Sequence, residues 1–314
     1  MTVQKDLISI GMPAYNCGAF IKQALDSLSN QTYSRFELII SDDASTDKTS
    51  TICKSYAKKD PRILYIRKVK NIGFLKNFNY VLKKAQGKYF MWAGCDDLWD
   101  KTYIEKLYTA LENRNESVLA VSKFNNLYHS KRYDYLKNQH KASNLDHLPS
   151  ILFFMKSRNL SYYYGLHKTK NLKKIGGYHY DSRPFFHSSD YLTIFKALLN
   201  GPLTYVNEVL FIKRDRGLFT LRYEVLKNFK MNKTVFLKIL RFLLFPIYYG
   251  YDLLFSIRYT LTSNLNTIDK LVILFYSCAY YVRNNLKFIY EALMGAIAVM
   301  EGIMLRLFKR RRTD

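Results

Sequence analysis

The chain has 314 residues, 48% of them hydrophobic and 24% charged, which excludes a disordered segment and gives enough length to bury a core without disulfides or a structural metal. Its 49 Lys and Arg against 25 Asp and Glu leave a net charge of +24, an excess that favours an anionic partner such as nucleic acid, an acidic lipid surface or a phosphorylated substrate. The four cysteines (Cys17, Cys53, Cys95 and Cys278) lie far apart without a CxxC pair, which excludes a zinc ribbon and makes a reduced, cytosolic setting the expectation.

The first residues, MTVQKDLISIGMPAYN, have no basic region followed by an apolar stretch and do not resemble a signal peptide. Leu7 to Ile10 reads as a short strand ended by Gly11 and Pro13. Phe20, Ile21, Ala24, Leu25 and Leu28 then recur at helical spacing. Phe36 to Ile40 is a second strand, stopped by Ser41-Asp42-Asp43, and Ser45 and Asp47 are natural caps for a helix carrying Ile52, Cys53 and Tyr56. Ile63 to Ile66 is a third strand, Phe74 to Ala85 a helix closed by Gly87, and Tyr89 to Ala93 a fourth strand running into Gly94-Cys95-Asp96-Asp97. A helix over Asp100 to Arg114 and a strand over Val118 to Val121 complete an alternation of five strands and four helices. The pattern predicts an α/β fold with a mostly parallel sheet flanked by helices, whose ligands bind beyond the carboxyl ends of the strands. Three polar clusters fall at those ends: Pro13-Ala14-Tyr15-Asn16, Asp42-Asp43 and Asp96-Asp97.

Residues 125–147 are polar and aperiodic and read as a linker or loop. Tyr162 to Leu166 and Val209 to Lys213 look like strands, with a helix over Asp190 to Leu199 between them. From about 219 the chain becomes aromatic and aliphatic, in segments over 235–245, 247–255, 271–282 and 288–308, ending in Lys309-Arg310-Arg311-Arg312. The longest uncharged run there, 271–282, is short of the ~20 apolar residues of a spanning helix, so these segments read as amphipathic helices. They are expected to lie on an anionic membrane surface. Packing on the catalytic domain or on a second subunit is the plainer alternative, and a transmembrane hairpin with 271–308 as its core is a further one.

Two adjacent carboxylates in a basic chain need a reason. Asp96 and Asp97 suit a divalent cation, but from the dipeptide alone the plainer reading is that Asp97 or Asp100 caps the following helix. Asp42-Asp43 before Ser45 is open to an Asx turn. Taken together the clusters resemble glycosyltransferase family 2, with its GT-A fold. The matching stretches are Ile8 to Asn16, with the P-x-Y-N turn; Gln31-Thr32-Tyr33 and Phe36 to Asp47, with E-x-I-x-x-D-D-x-S-x-D; Asn71-Ile72-Gly73 with Asn79; and Gly87-Lys88-Tyr89 through Asp96-Asp97-Leu98-Trp99. The resemblance is dense over 7–115, thins to about 216 and leaves the tail uncovered. It implies a GT-A domain over 1–218, with a donor half at 1–124 and an acceptor half at 125–218, followed by a helical region over 219–314.

That resemblance implies a role for each matched residue. Pro13, Ala14, Tyr15 and Asn16 would border the nucleobase, and Asp43 would accept a hydrogen bond from it. Lys76 would lie near the diphosphate, with Phe78 standing where relatives often have Arg. Asp96 and Asp97 would hold Mn²⁺ or Mg²⁺, with Gly94 standing where the family often has a further Asp. Asp190 would be the general base, with Ser189 in place of the family's Glu; a simple helix cap is the competing role. Arg214 and Arg216 would touch the diphosphate or stand as solvated charges. His179 and His187 have poor spacing for zinc, and Trp92 and Trp99 are expected in packing. The expected activity is inverting transfer of a sugar from a nucleotide-sugar, a UDP-sugar first, to a glycan or lipid-linked acceptor in cell-surface polysaccharide synthesis, at the cytoplasmic face of the membrane. A nucleic-acid-binding role lacks motifs and would set phosphate against acidic strand ends. An inactive protein on the same fold competes, because of Gly94 and Ser189.

Overall fold

The computed structural model describes residues 4–128, 131–133, 145–179, 188–215, 252–284 and 286. The chain divides into two compact units, one of residues 1–217 with 263–265, the other of 218–262 with 266–314.

The first unit begins β1 (Gln4–Ala14), α1 (Ile21–Ser29), β2 (Phe36–Asp42), α2 (Thr49–Lys59), β3 (Ile63–Arg67), α3 (Phe74–Lys84) and β4 (Gly87–Trp92). It continues with β5 (Leu98–Trp99), α4 (Tyr103–Glu112), β6 (Leu119–Tyr128), β7 (Lys131–Tyr133), α5 (His147–Ser157), β8 (Leu166–Lys168), α6 (Thr169–Lys174), α7 (Ser188–Leu198) and β9 (Leu203–Asp215). The strands form one sheet in the order β3-β2-β1-β4-β8-β6-β9-β5, with β7 paired to β6. β1, β2, β3 and β4 are mutually parallel. β8 is antiparallel to both β4 and β6, and β9 is parallel to β6. The carboxyl ends of β1, β2, β4, β6 and β9 therefore share one edge of the sheet.

The alternation of each strand sets its two faces. Ile8, Ile10, Met12, Leu38, Ile40 and Met91 are buried in one core with Leu25 and Leu28 of α1 and Ile104 and Leu107 of α4. Each such side chain contributes about 1.5–3 kcal/mol through burial. On the opposite face α3 approaches closely: a Cβ at Gly11 would sit 2.6 Å from the Phe90 ring and 2.7 Å from Val81.

Several details differ from the sequence expectation. Residues 125–128, read as linker, extend β6, because the ladder with β9 runs on from Phe124↔Phe211 to Tyr128↔Asp215 whatever the polarity of the side chains. The stretch Tyr162 to Leu166 is not one strand. A 3₁₀ turn covers Leu160–Tyr164, started by the Asn159 side chain accepting from the Ser161 amide at 3.1 Å, and β8 follows it. β9 begins at Leu203, ahead of the expected Val209. β5 is too short to leave a pattern in the sequence.

The second unit is helical over 252–261 and 267–284. Its helices bury Ser256, Thr260, Ile273 and Ser277 and expose Leu261, Ile268, Leu271, Phe275 and Val282. No described helix is long and apolar enough to cross a membrane. The segments expected over 235–245 and 288–308, and the basic cluster at 309–312, lie outside the described residues.

Candidate active site

Two turns at the carboxyl ends of β1 and β2 are stitched together. Asn16 adopts a φ of +47°, a left-handed conformation that Asn tolerates. Its amide donates to Ser45 Oγ at 3.0 Å, and its side-chain carbonyl accepts from the Thr46 amide at 2.8 Å. Ser45 thus serves the turn, not the helix. Asp47 does both: its carboxylate accepts from the Gly18 amide at 2.8 Å and from the Thr49 amide at 3.0 Å, the first residue of α2. Pro13 and the buried Ala14 sit in register with Ser41 and Asp42, and Tyr15 projects from this frame 48% exposed. An exposed ring on a fixed turn is a ready stacking surface.

The paired acids behind it divide their work. Asp42 makes the Asx turn, Oδ1 accepting from the Ser45 amide at 2.9 Å, while Oδ2 accepts from the Tyr65 hydroxyl at 2.7 Å. Asp43 is buried, and its carboxylate accepts from the amides of Ile72 (2.8 Å) and Gly73 (3.0 Å). It thereby fixes the Asn71-Ile72-Gly73 turn from which α3 starts, and Gly73, at a φ of +88°, supplies the backbone conformation needed there. Lys76 stands exposed in the first turn of α3.

Asp96 and Asp97 follow β4. Asp97 is buried, and its Oδ1 accepts from the Arg214 amide at 2.9 Å. It is not the cap of α4; Asp100 accepts from the Thr102 amide at 2.9 Å at that end. β5 runs antiparallel to β9, which brings Arg214 to the acidic pair. The Arg214 guanidinium donates from Nε to the Asp96 carbonyl at 2.9 Å and from Nη2 to Gln23 Oε1 at 2.7 Å, and lies 4.9 Å from the Phe20 ring centre. A Cβ at Gly94 would stand 2.4 Å from Asp97 Oδ2 and 3.1 Å from Asp96 Oδ1. Both carboxylates therefore converge over Gly94. This pair of hard oxygen donors fits Mg²⁺ or Mn²⁺. A side chain at position 94 would require the Asp97 carboxylate to shift.

Asp190 is the third residue of α7, within its first turn. Its Oδ1 accepts from the Tyr178 hydroxyl at 2.5 Å. Burial, then the Asp190 charge, pushes the Tyr178 phenol well above its ordinary pKa, so it stays protonated and donates. Tyr164 closes the 3₁₀ turn. Its phenol is also pushed up, first by burial and then by Asp97, Asp190 and Asp96, which places it within electrostatic reach of both acidic groups. Trp92 stacks on Tyr163 at 4.3 Å and Trp99 is buried, both in packing roles. His187 and Arg216 lie outside the described residues. Tyr164, Tyr178 and Gln23 escape sequence reasoning, although the Tyr162-Tyr163-Tyr164-Gly165 run and the Gly176-Gly177-Tyr178 turn were visible signals.

The model of the family described as "Glycosyl transferase family 2" matches residues 9–188. An uncharacterized glycosyltransferase of Haemophilus influenzae is 32% identical over 139 residues, 44% of this chain and 43% of that protein. The minor teichoic acid biosynthesis protein GgaB of Bacillus subtilis is 36% identical over 111 residues, 34% of this chain and 12% of that protein. The chain thus spans less than half the length of these relatives. Among solved structures, Staphylococcus aureus TarS in complex with UDP aligns with a TM-score of 0.63 at 20% identity, over 85% of this chain and 69% of that one. A mannosyltransferase of Pyrobaculum calidifontis, in complex with GDP-Man and Mn²⁺, aligns with a TM-score of 0.57 at 16% identity, over 93% of this chain and 75% of that one. These likenesses carry the fold.

Proposed function

The chain belongs to glycosyl transferase family 2, and from that premise we propose that it transfers a sugar, with inversion, from a UDP-sugar to a glycan or lipid-linked acceptor in cell-surface polysaccharide synthesis. The observation that carries the reading is the convergence of the Asp96 and Asp97 carboxylates over Gly94, on the same sheet edge as Tyr15 and Asp43. Tyr15 stacks on the base, and Pro13, Ala14 and Asn16 shape its slot. Asp43 accepts from the uracil with the lone pairs left beside its two backbone bonds.

Asp96 and Asp97 would hold a Mn²⁺ or Mg²⁺ ion, which would supply positive charge to the leaving diphosphate. Lys76 adds its ammonium to the same phosphates. Arg214 aligns the acidic pair through the Asp97 carboxylate and the Asp96 carbonyl, and its guanidinium lies beside the diphosphate. Asp190 takes the proton of the acceptor hydroxyl as that oxygen bonds to the anomeric carbon. The bond from that carbon to the diphosphate oxygen breaks on the opposite side, and its electron pair leaves with UDP. The test is a thermal-shift panel of UDP-, GDP- and dTDP-sugars with and without Mn²⁺. A UDP-sugar at 100-fold its Kd is expected to stabilise the protein by about 2.7 kcal/mol, in a Mn²⁺-dependent way. Equal shifts for all three bases, or none with Mn²⁺, would remove the donor assignment.

The same reading seats the enzyme on the inner face of the cell membrane, beside a lipid-linked acceptor. The support is the net charge of +24 and the second unit's exposed Ile268, Leu271, Phe275 and Val282, an apolar stripe at helical spacing. Each Lys or Arg near an anionic leaflet is worth about 1 kcal/mol. The protein is expected to sediment with vesicles containing phosphatidylglycerol, less so at high salt or as Leu271→Glu or Phe275→Glu. Full-length protein that stays in the supernatant, or that elutes as a dimer with the stripe covered, would contradict this seat.

A further inference from the structure

We propose that Tyr178 is a positioning residue for the general base, aiming one oxygen of the Asp190 carboxylate and keeping the group ionised. The inference rests on the base reading above and extends it to a residue that touches neither donor nor acceptor.

The Tyr178 hydroxyl donates to Asp190 Oδ1 at 2.5 Å, which suits a charge-assisted bond to a carboxylate. Such a bond stabilises the ionised form, the one able to take a proton. It also occupies one oxygen in a fixed direction, which restricts how the carboxylate turns about its last torsion. The phenol is itself held from two sides. Its backbone is clasped by Asn79 of α3, whose Oδ1 accepts from the Tyr178 amide at 2.8 Å and whose Nδ2 donates to the Tyr178 carbonyl at 2.9 Å. Gly177 makes that clasp possible: it has a φ of +75°, and a Cβ there would be 2.4 Å from Asn79 Oδ1. The ring is wedged between Phe78, at 5.3 Å between centres, and Tyr163, at 5.0 Å and edge-on, with Phe74 at 6.0 Å. Asp190 is thus tied through one tyrosine to α3, the helix that starts at the Asp43-held turn. The donor-binding half and the base share a support.

Other groups act on the same carboxylate. Tyr163 and Tyr164 of the 3₁₀ turn both feel its charge. His179 packs against α7 through its amide, which donates to Thr193 Oγ1 at 2.8 Å, and Arg158 lies 4.1 Å over the neighbouring Tyr191 ring.

Tyr178→Phe removes the hydroxyl and keeps the ring contacts. In the full-length protein with saturating UDP-sugar and Mn²⁺, kcat is expected to fall about tenfold with the donor KM unchanged. The acidic limb of the kcat/KM–pH profile should move to higher pH, because the carboxylate loses a donor. Asn79→Ala, which frees the Tyr178 backbone, should lower kcat in the same direction. A Tyr178→Phe enzyme with an unmoved pH profile and wild-type kcat overturns the proposal, and so does one whose only change is a lower melting temperature. Asp190→Asn separates the two levels. If that variant stays active, the base assignment itself fails; if it is inactive while Tyr178→Phe behaves as wild type, only the positioning role fails.

Discussion

Asp97→Asn is expected to abolish sugar transfer while leaving the fold intact. The amide oxygen still accepts from the Arg214 backbone, so the join between the β4 end and β9 survives, but the charge that would hold a divalent ion is gone. Losing an ion that neutralises a leaving diphosphate removes several kcal/mol of transition-state stabilisation, or at least a thousandfold in rate. Asp96→Ala should behave alike, because its Oδ1 faces the same space over Gly94. Both variants should lose the Mn²⁺ dependence of donor binding measured by calorimetry. Asp97→Ala should also lower the melting temperature, since it strips the Arg214 amide of its acceptor; Asp97→Asn should not, and this contrast separates the role in the site from the role in the fold. Near-normal turnover by both Asp96→Ala and Asp97→Asn would sink the metal assignment.

Replacing Asp190 by Asn should cost about 10²–10⁴-fold in transfer, the usual worth of a positioned general base. The substitution conserves volume and still offers an oxygen to the Tyr178 hydroxyl, so folding and donor affinity should be unchanged. Slow donor hydrolysis by water, which depends on the metal and diphosphate contacts, should fall less than transfer to the acceptor. A variant that transfers at the wild-type rate would instead assign Asp190 to holding Tyr178 in place, a structural task for which an amide oxygen serves as well.

The two experiments address residues that were legible to very different degrees. Asp43, Asp96, Asp97 and Tyr15 stand out in the sequence because the β–α alternation ends each strand at a polar cluster, and strand ends of a parallel sheet meet on one edge. The period-two runs of Ile8 to Met12 and Phe36 to Ile40, and the helical spacing of Ile21, Ala24, Leu25 and Leu28, are local signals, so the order of elements through α4 follows from them directly. The glycosyl transferase family 2 motifs lie in the same stretch.

What lies beyond about residue 120 depended on contacts distant in sequence. No local pattern says that two residues, Leu98 and Trp99, pair with β9, yet that pairing carries Arg214 across 117 positions to Asp97. Whether Asp97 caps a helix is undecidable from a dipeptide; the Arg214 amide, which donates to it from β9, and Asp100, which takes the Thr102 amide, decide that it does not. The Tyr178 hydroxyl reaches Asp190 only because Asn79, 99 residues earlier, clasps the Tyr178 backbone. The sequence by itself determined the α/β order and the acids at the carboxyl edge of the sheet, because hydrophobic period and turn chemistry are encoded within a few residues. Only the tertiary structure decided which partner each acid keeps, because hydrogen bonds between strands and turns far apart in the chain are set by sheet order and packing, and leave no local trace.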